Sequence, residues 1–508
     1  MNRARHLFQS SLIVIIFFAA GKLMGLVRAQ FVGRAFGTSP AFDAFTAANQ
    51  LPEVFVTLIA GGALAAAFIP VYSAHLTDEK QKEAAQLANA TLTLVLLLLG
   101  SISALGILFA PFLVRVWLVP SYSPAQQALT ASLMRIILVQ TTLFGVSGVL
   151  SSLLNAHQHF ALPALAPIAL DIGYLVGVFF FVPRMGIHGL AWGTVIGGFL
   201  HILIQVPALI RYRFRFRPLL GFHLAGLREI VRLMGPRIVT LGTVQFADLF
   251  IIRITSGLPS GSTSGYFYGY YLQQLPETLL GTAIAIVVFP TLAELFNAGD
   301  IEGLKRTAIS ALSVIWTLTI PAAALLVLLG EPAIAVFFQR GAFDAASTRL
   351  VYSILIYFSV RVVSEASLEI LARLFFAQHN TLIPMLAALG WLGVSLLLFR
   401  ILVQPLGVAG LALASTVAFT LQSLALYLLN RWRLGGLYER ELLVSGGRAL
   451  LATGGMALVI LAVQRWVSSP LLLVVGGGSA GIFAYALLNI LLGGRELPQL
   501  WRLARQRT

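Results

Sequence analysis

Apolar segments recur along almost the whole chain, each of about 20 residues, the length that a helix needs to cross a bilayer core. They include SLIVIIFFAA, TLTLVLLLLG and LLATGGMALVILAV. Hydrophobic residues make up 58% of the chain and charged residues only 10%, whereas a soluble domain carries roughly 25% charged residues. The ten-residue alternation of a membrane β-barrel is not visible. The sequence therefore predicts an all-α integral membrane protein.

The pattern predicts fourteen spans, near residues 10–33, 47–74, 87–113, 127–151, 162–182, 187–210, 230–256, 266–293, 307–329, 350–372, 383–402, 407–430, 447–466 and 470–492. Basic residues concentrate in alternate connections, as in RYRFRFRPLL and the WRLARQRT tail. Because cytoplasmic loops are the basic ones, both termini are expected in the cytoplasm. This topology explains the net charge of +15 without a nucleic-acid partner.

Residue types that are missing exclude several kinds of site. The chain has no cysteine, so disulfides and thiolate chemistry are excluded. No zinc-protease, nucleophile-elbow or phosphate-loop motif is present, and every segment outside the spans is short. We therefore expect neither an enzyme nor a bound cofactor or metal. The first apolar segment lacks a small-residue cleavage pattern and is interpreted as a retained span.

Two halves of the chain repeat each other. QLPE occurs at 50–53 and at 274–277, and three further pairs of landmarks recur at one constant offset in residue number: Pro111 with Pro332, Pro163 with Pro384, and GIHGLAWG with GVAGLALA. Six predicted spans separate the members of each pair, so the copies have the same orientation. Parallel repeats of this kind are typical of transporters that bind substrate between the halves.

The duplication predicts three regions. Residues 1–215 form an N-lobe of six spans, residues 216–436 form a C-lobe of six spans, and residues 437–508 add two spans and a basic tail. The basic segment after Arg211 links the two copies.

Two cations lie inside the first span, where a charge costs about 2.5–3.5 kcal/mol unless it meets water or a partner. Lys22 and Arg28 are six residues apart, about 120° around a helix that they share. One hypothesis is that they line a wet cavity for an anionic substrate, because a guanidinium can bond two phosphate oxygens. The alternatives are a buried pair such as Arg28 with Asp43, and a Lys22 side chain that reaches the interface.

Other ionisable residues have weaker functional signals. Arg361, Glu365 and Glu369 follow each other at intervals of four, which favours a structural ion pair along one helix face. Asp248 is a candidate for binding a coupling ion, because an intramembrane carboxylate needs compensation. The histidines at 157, 159 and 379 fall in loops and are interpreted as solvated rather than metal-binding.

A set of stretches between about residue 20 and residue 390 is characteristic of one family: GLVRAQFVGRAFG, FDAFTAANQLPE, GGALAAAFIPVY, LLNAHQHFALPALAPI, GIHGLAWGTVIGGFLHILIQVPAL, QQLPETLLGTAIAIVVFPTLAEL, FFQRGAFDAAST and ARLFFAQHNTLIP. In these stretches the chain resembles the lipid II flippase family of the multidrug/oligosaccharidyl-lipid/polysaccharide exporter superfamily.

The resemblance implies two six-helix lobes around a cationic cavity, with two further helices that form a groove for a lipid tail. It implies movement of an undecaprenyl-pyrophosphate-linked peptidoglycan precursor from the inner to the outer leaflet of the bacterial cytoplasmic membrane. By position, the family's first-helix cations correspond to Lys22 and Arg28, and its following acidic residue to Asp43. Asn49 and Glu53, in the first QLPE region, complete the predicted substrate contacts of the N-lobe.

The chain departs from the family pattern at two places. Val56, Thr57 and Gly61 stand where many members have an arginine pair and a glutamate, and Tyr271 stands where the second repeat has an arginine. Tyr271 and Gln274 are therefore predicted to offer neutral hydrogen bonds, which are weaker than charge-assisted ones.

The leading functional hypothesis is a lipid II flippase that works by alternating access, with cell-wall synthases as further partners. The alternatives are a flippase for another polyprenyl-linked glycan, a cation-coupled drug exporter, and a membrane scaffold that recruits synthases without transporting anything.

Overall fold

The computed structural model describes residues 20–60, 62–76 and 81–498. Within these ranges the chain is helical and contains no β-strand, so the all-α prediction is confirmed. The expected first span is described only from residue 20, and its earlier part lies outside the described residues.

Nineteen described helices follow each other along the chain. The first nine are α1 (20–36), α2 (Pro40–Phe55), α3 (Gly62–Ser73), α4 (Gln81–Phe112), α5 (Pro124–Ala156), α6 (Ala161–Val176), α7 (Val182–Met185), α8 (Ile187–Leu203) and α9 (Val206–Arg211). The others are α10 (Ala225–Thr255), α11 (Ser262–Glu277), α12 (Ala283–Asn297), α13 (Ile301–Phe338), α14 (Ala345–Ala377), α15 (Leu382–Leu406), α16 (Val408–Leu434), α17 (Glu439–Gln464), α18 (Pro470–Leu472) and α19 (Gly478–Leu491).

Eleven helical stretches in the described residues are long and apolar enough to span a membrane, and α10, bent by 45°, makes up to twelve. The other two predicted spans coincide with α1, of which the structure describes residues 20–36, and with α14, which carries five charged residues. The chain is thus a multi-pass membrane protein, and the count of fourteen spans stays a prediction.

Short π-helical segments interrupt several of these helices. Two of them follow the repeated QLPE sequence, at Val56–Ala60 and Thr278–Thr282. Pro52 and Pro276 lie a few residues earlier, inside α2 and α11. Proline removes one helical hydrogen bond and distorts the preceding turn, and π-helical turns inside α-helices are rare.

The duplication is visible in the backbone. Gly186 and Gly407, which are separated by the offset of the proline landmarks, precede α8 and α16 with φ/ψ of 57°/−137° and 56°/−136°. Gln158 and His379, separated by the same offset, have φ of 59° and 56°. Left-handed backbone is rare for residues other than glycine, so its recurrence at one offset supports the repeat independently of hydrophobicity.

The described helices form two compact units. The first runs to Ser264 and includes Arg340–Ala342, and the second comprises Gly265–Gln339 and the chain from Phe343 onward. The contacts thus place α10 in the first unit, whereas the sequence repeat assigns it to the second copy. The three sequence regions remain a prediction.

Each unit has its own apolar core. In the first unit the core lies where α3, α4 and α5 meet, around Phe68, Leu99 and Leu153. In the second unit α12, α13 and α14 enclose a core around Ile315 and Phe375. A smaller core joins α13 to the two C-terminal helices α17 and α19.

The segment that links the two copies is bonded to α4. The backbone N–H of Arg217 donates to Asn89 Oδ1 at 2.8 Å, and that of Leu219 donates to Thr93 Oγ1 at 3.1 Å. Gly221 has φ of +61°, and a Cβ there would lie 2.4 Å from the Cβ of Ala90. The linker therefore follows one face of α4 closely.

The loop histidines of the first copy are partly buried, so they are less solvated than the sequence interpretation held. His157 Nε2 lies 3.2 Å from the hydroxyl of Tyr72, and its ring stacks on Tyr212 with centroids 4.6 Å apart. Burial lowers the pKa of His157, and burial together with Arg211 lowers the pKa of His159. Aromatic packing explains these side chains.

Candidate functional site

Arg28 forms an ion pair with a residue of another helix. Its Nη1 lies 2.9 Å from Oδ1 of Asp171, which projects from α6. Asp171 is the only charged residue of the apolar helix α6, so a cation is the partner that it requires. The alternative pairing of Arg28 with Asp43 was wrong, because Arg28 has a different carboxylate as its partner.

Three further residues surround this pair. The guanidinium of Arg28 lies over the ring of Tyr174, 4.8 Å from its centroid. Glu53 on α2 interacts with the charge of Arg28 and also contacts the amide of Asn49, one turn earlier. We refer to these five residues, Arg28, Asn49, Glu53, Asp171 and Tyr174, as the Arg28 site.

The Arg28 site is open to solvent on one side. The Arg28 side chain is 26% exposed and that of Asp171 only 8%, whereas Glu53 is exposed. Guanidinium has five N–H donors, and the contact with Asp171 uses one of its nitrogens. An anion can approach the exposed side of Arg28, but it must compete there with two carboxylates for one positive charge.

Asp43 performs a different task in this structure. Its carboxylate accepts hydrogen bonds from the backbone N–H of Gly261 at 2.6 Å, from the N–H of Ser264 at 2.7 Å and from the hydroxyl of Ser264 at 2.6 Å. It is 2% exposed and caps the start of α11, where a negative charge is favourable. Its substrate role stays a prediction that requires it to leave these donors.

Two other predicted residues, Lys22 and Asp248, are not members of the Arg28 site. Lys22 is partly buried on α1 and Asp248 is partly buried on α10, and both have interactions with their surroundings. In the part of the chain that the structure describes, no three His, Cys, Asp or Glu side chains are grouped to hold a metal ion. The roles of both residues stay predictions.

In the second copy the predicted Gln274 lies within a buried polar cluster. The amides of Gln273 and Gln274 donate to the two oxygens of Glu365 at 3.0 and 3.1 Å. Tyr271, on the same helix, is partly buried and also interacts with its surroundings. The amide group of Gln274 is therefore used within the protein in this arrangement.

Glu365 also pairs with Arg361, which confirms the ion pair predicted from their spacing. Arg361 Nε donates to Glu365 Oε2 at 2.9 Å, and its Nη1 donates to Ser415 Oγ at 2.7 Å. The ring of Phe419 lies 3.9 Å from the guanidinium carbon. Arg361 is 5% exposed, so its ion pair with Glu365 is largely shielded from solvent, whereas the ion pair of Arg28 is partly exposed.

Sequence reasoning assigned no role to Asp171, Tyr174 or Glu277. Asp171 had a usable signal, since a lone carboxylate in an apolar helix implies a cation elsewhere. Glu277 had one too, as the last residue of the second QLPE. Tyr174 had no signal, because aromatic residues are common in membrane helices.

Comparison with known proteins identifies the family. The sequence profile of the family described as lipid II flippase MurJ matches residues 32–475. The chain belongs to the lipid II flippase MurJ family. Members of this family are transporters, so the chain is a transporter and not an enzyme.

Individual relatives agree with this membership. A probable lipid II flippase MurJ of Bdellovibrio bacteriovorus is 31% identical over 448 residues, which cover 87% of this chain and 86% of the relative. A solved lipid II flippase MurJ in an inward closed conformation has a TM-score of 0.81 at 22% identity, covering 96% of this chain and 99% of that one. An inward-facing MATE transporter of the MOP superfamily has a TM-score of 0.71 at 14% identity, over 84% and 99%. At these identities the two structures support the fold alone.

Proposed function

We propose that this protein moves lipid II from the inner to the outer leaflet of the bacterial cytoplasmic membrane by alternating access. The observation that carries the proposal is the family match, which extends over residues 32–475. The open ion pair of Arg28 supports it, because a partly exposed guanidinium suits a pyrophosphate headgroup.

Arg28 binds the headgroup by exchanging partners. Without substrate, Asp171 and Glu53 hold its charge. A pyrophosphate brings more negative charge and more acceptor oxygens than either carboxylate, so it displaces part of that pairing and forms charge-assisted bonds. The released carboxylates then favour loss of the headgroup, since like charges repel. Substrate shifts the conformational equilibrium only by its difference in affinity for the two states.

The other predicted residues assist Arg28 in this proposal. Lys22 adds a second positive charge on the helix of Arg28, and Asn49 orients Glu53. Tyr271 and Gln274 offer hydrogen bonds to sugar or peptide groups once Gln274 leaves Glu365. Asp248 binds a coupling ion in this proposal.

The topology and partners follow from the same function. We propose that both termini are cytoplasmic, in accord with the basic connections, that residues 1–215 and 216–436 act as the two lobes, and that residues 437–508 contact the lipid tail. Membrane lipid surrounds the protein, and cell-wall synthases receive the exported precursor.

A growth assay and a vesicle assay together test the function. Cells depleted of their own lipid II flippase are supplied with this chain, and growth is expected to recover. Purified protein in vesicles that contain labelled lipid II should expose the label to an external enzyme or probe. Protein with Arg28→Ala is the matched control and should expose much less.

The alternatives give different results. Exposure of another polyprenyl-linked glycan without lipid II would reassign the substrate. Recovery of growth without any exposure of lipid II in vesicles would favour a scaffold. Loss of a cationic drug from the vesicles, with lipid II unmoved, would favour an exporter.

A further inference from the structure

Glu277 is a buried carboxyl with a single hydrogen-bond donor among the described residues. It ends α11, is 3% exposed, and accepts from the hydroxyl of Thr282, at 3.0 Å to Oε1 and 3.4 Å to Oε2. No cation of the described chain lies within ion-pair distance of it. A buried carboxylate without a paired cation is costly, and uptake of a proton removes that cost.

Two more carboxylates lie nearby on α14. Glu277 interacts with the charges of Glu365 and Glu369, and more weakly with that of Arg361. Arg361 pairs with Glu365, and Arg373 pairs with Glu369. Three carboxyls therefore face two guanidinium groups, which leaves one negative charge without compensation inside this part of the second unit.

Gly281 fixes this proximity. It lies in the π-helical segment after Glu277, and a Cβ at this position would come within 2.6 Å of the Cβ of Ala366 on α14 and 2.9 Å of Glu277 Oε1. Only glycine lets the π segment lie this close to α14 with Glu277 beside it. The carboxyl is thus held within the cluster by backbone packing.

Gln273 supplies one donor to the same cluster. It is fully buried, and its Nε2 donates to Glu365 at 3.0 Å, while its Oε1 has no hydrogen-bond partner within the described part of the chain. The amide oxygen can only accept hydrogen bonds, so Gln273 offers no further donor to offset the charge of Glu277.

We propose that Glu277, together with Glu365 and Glu369, forms a proton-binding site that holds one proton at neutral pH. A proton from bulk water forms one O–H bond with a carboxylate oxygen, and no other bond changes. The cluster then has no net charge. Because the three groups interact, the proton belongs to the set rather than to one residue.

The surrounding helices supply the other charged and titratable groups that matter. On α14 these are Arg361 and Arg373 in addition to the two glutamates. On α11 Tyr270 lies 5.1 Å from the Arg361 guanidinium, and α16 contributes the neutral Ser415. Both nearby guanidinium groups are thus already paired. This inference does not depend on the transported substrate.

Infrared difference spectroscopy on the full chain in lipid nanodiscs tests the site. A protonated carboxylic acid has a carbonyl stretch that ionised carboxylates lack and that shifts in D₂O. The wild type is expected to show such a band at neutral pH, and Glu277→Gln is expected to lose it. Glutamine resembles the protonated acid in shape and charge, so this variant should fold.

Two controls keep the test specific. Glu294→Gln changes an exposed glutamate of α12 outside the cluster and should leave the band unchanged. Thr282→Val removes the hydroxyl that donates to Glu277 and should shift the band frequency without removing it, which also serves if Glu277→Gln fails to fold.

Three results would overturn the proposal. The band could be absent from the wild type at every pH at which the protein is folded. It could persist in Glu277→Gln. It could also disappear on addition of sodium chloride but not choline chloride at constant pH, which would identify a sodium site instead.

Discussion

The two QLPE segments have the same four residues, the same internal proline and a π-helical segment shortly afterwards, yet their glutamates differ completely. Glu53 is exposed and shares the charge of Arg28 with Asp171. Glu277 is buried beside two other carboxylates, and the nearby cations are paired with those. The duplication preserved the local helix geometry, whereas the charged partners of each glutamate depend on the neighbouring helices in its own copy.

The difference separates features that both copies of the repeat retain from features that depend on neighbouring helices. Proline and the π turn are local, so both copies keep them. The charge that a glutamate meets comes from α1 and α6 in the first copy and from α14 in the second. The first copy thus has a partly exposed ion pair between Arg28 and Asp171, and the second a more deeply buried pair between Arg361 and Glu365.

The largest effect is expected from loss of the buried ion pair between Arg361 and Glu365 in the second copy. Glu365→Ala leaves Arg361 buried without its carboxylate, which typically costs about 3–5 kcal/mol of stability. Thermal or denaturant unfolding in detergent should show this loss. The double variant Arg361→Met with Glu365→Leu should regain most of it. A loss of stability no greater than that expected for an exposed ion pair would show that burial does not distinguish the ion pairs of the two copies.

The second effect concerns transport through the open site. Arg28→Ala should reduce lipid II exposure in vesicles by about 10- to 100-fold, because a hydrogen bond to a charged group contributes about 1.5–3 kcal/mol. It also leaves Asp171 unpaired. The double variant Arg28→Ala with Asp171→Asn therefore separates the two roles: it should restore stability but not transport. Transport restored along with stability would mean that Arg28 is only structural.

A smaller effect is expected from the exposed glutamate. Glu53→Gln should change stability by less than about 0.5 kcal/mol, as is usual for surface substitutions, while strengthening headgroup binding because it removes a competitor for Arg28. Binding of labelled lipid II to purified protein measures this. Weaker binding than in the wild type would assign Glu53 a direct contact with substrate instead.

The smallest effect is a pH dependence that belongs to the first copy alone. Position 157 is histidine there, and the equivalent position of the second copy is Gln378, bonded to Asn430. Because burial lowers the pKa of His157 in the folded state, stability should fall as the pH drops below the unfolded value of about 6.5.

His157→Gln introduces the residue of the second copy at this position and should remove that part of the pH dependence. The unfolding midpoint of each variant between pH 7.5 and 5 provides the measurement. An unchanged slope in His157→Gln would show that another group titrates.

Much of the fold followed from the sequence because its signals are local. Span length, basic loops and the constant offset between the copies depend only on stretches that can be read one at a time. Gly186 and Gly407 show this well, since each marks its turn by needing a positive φ. The ion pair of Arg361 with Glu365 was predictable for the same reason, as both lie on one helix.

The sites were less predictable because their partners are distant in sequence. The spacing of Arg28 gave no indication that Asp171, on the fifth helix after α1, is its partner. Asp43 is predicted from sequence as a substrate contact or a partner of Arg28, yet it caps α11 through Gly261 and Ser264. Glu277 was overlooked because its neighbours on α14 are known only after the helices are packed.

The peptide between the two copies has a consequence for how the chain would respond to cutting. Its backbone is anchored to Asn89 and Thr93, and Gly221 fits against Ala90 without room for a side chain. A protease nick after this anchored stretch would leave it attached to the N-terminal fragment. Co-expression of the two fragments as separate genes is thus best attempted with the break placed after Gly221, so that the first fragment retains the peptide that is anchored to it.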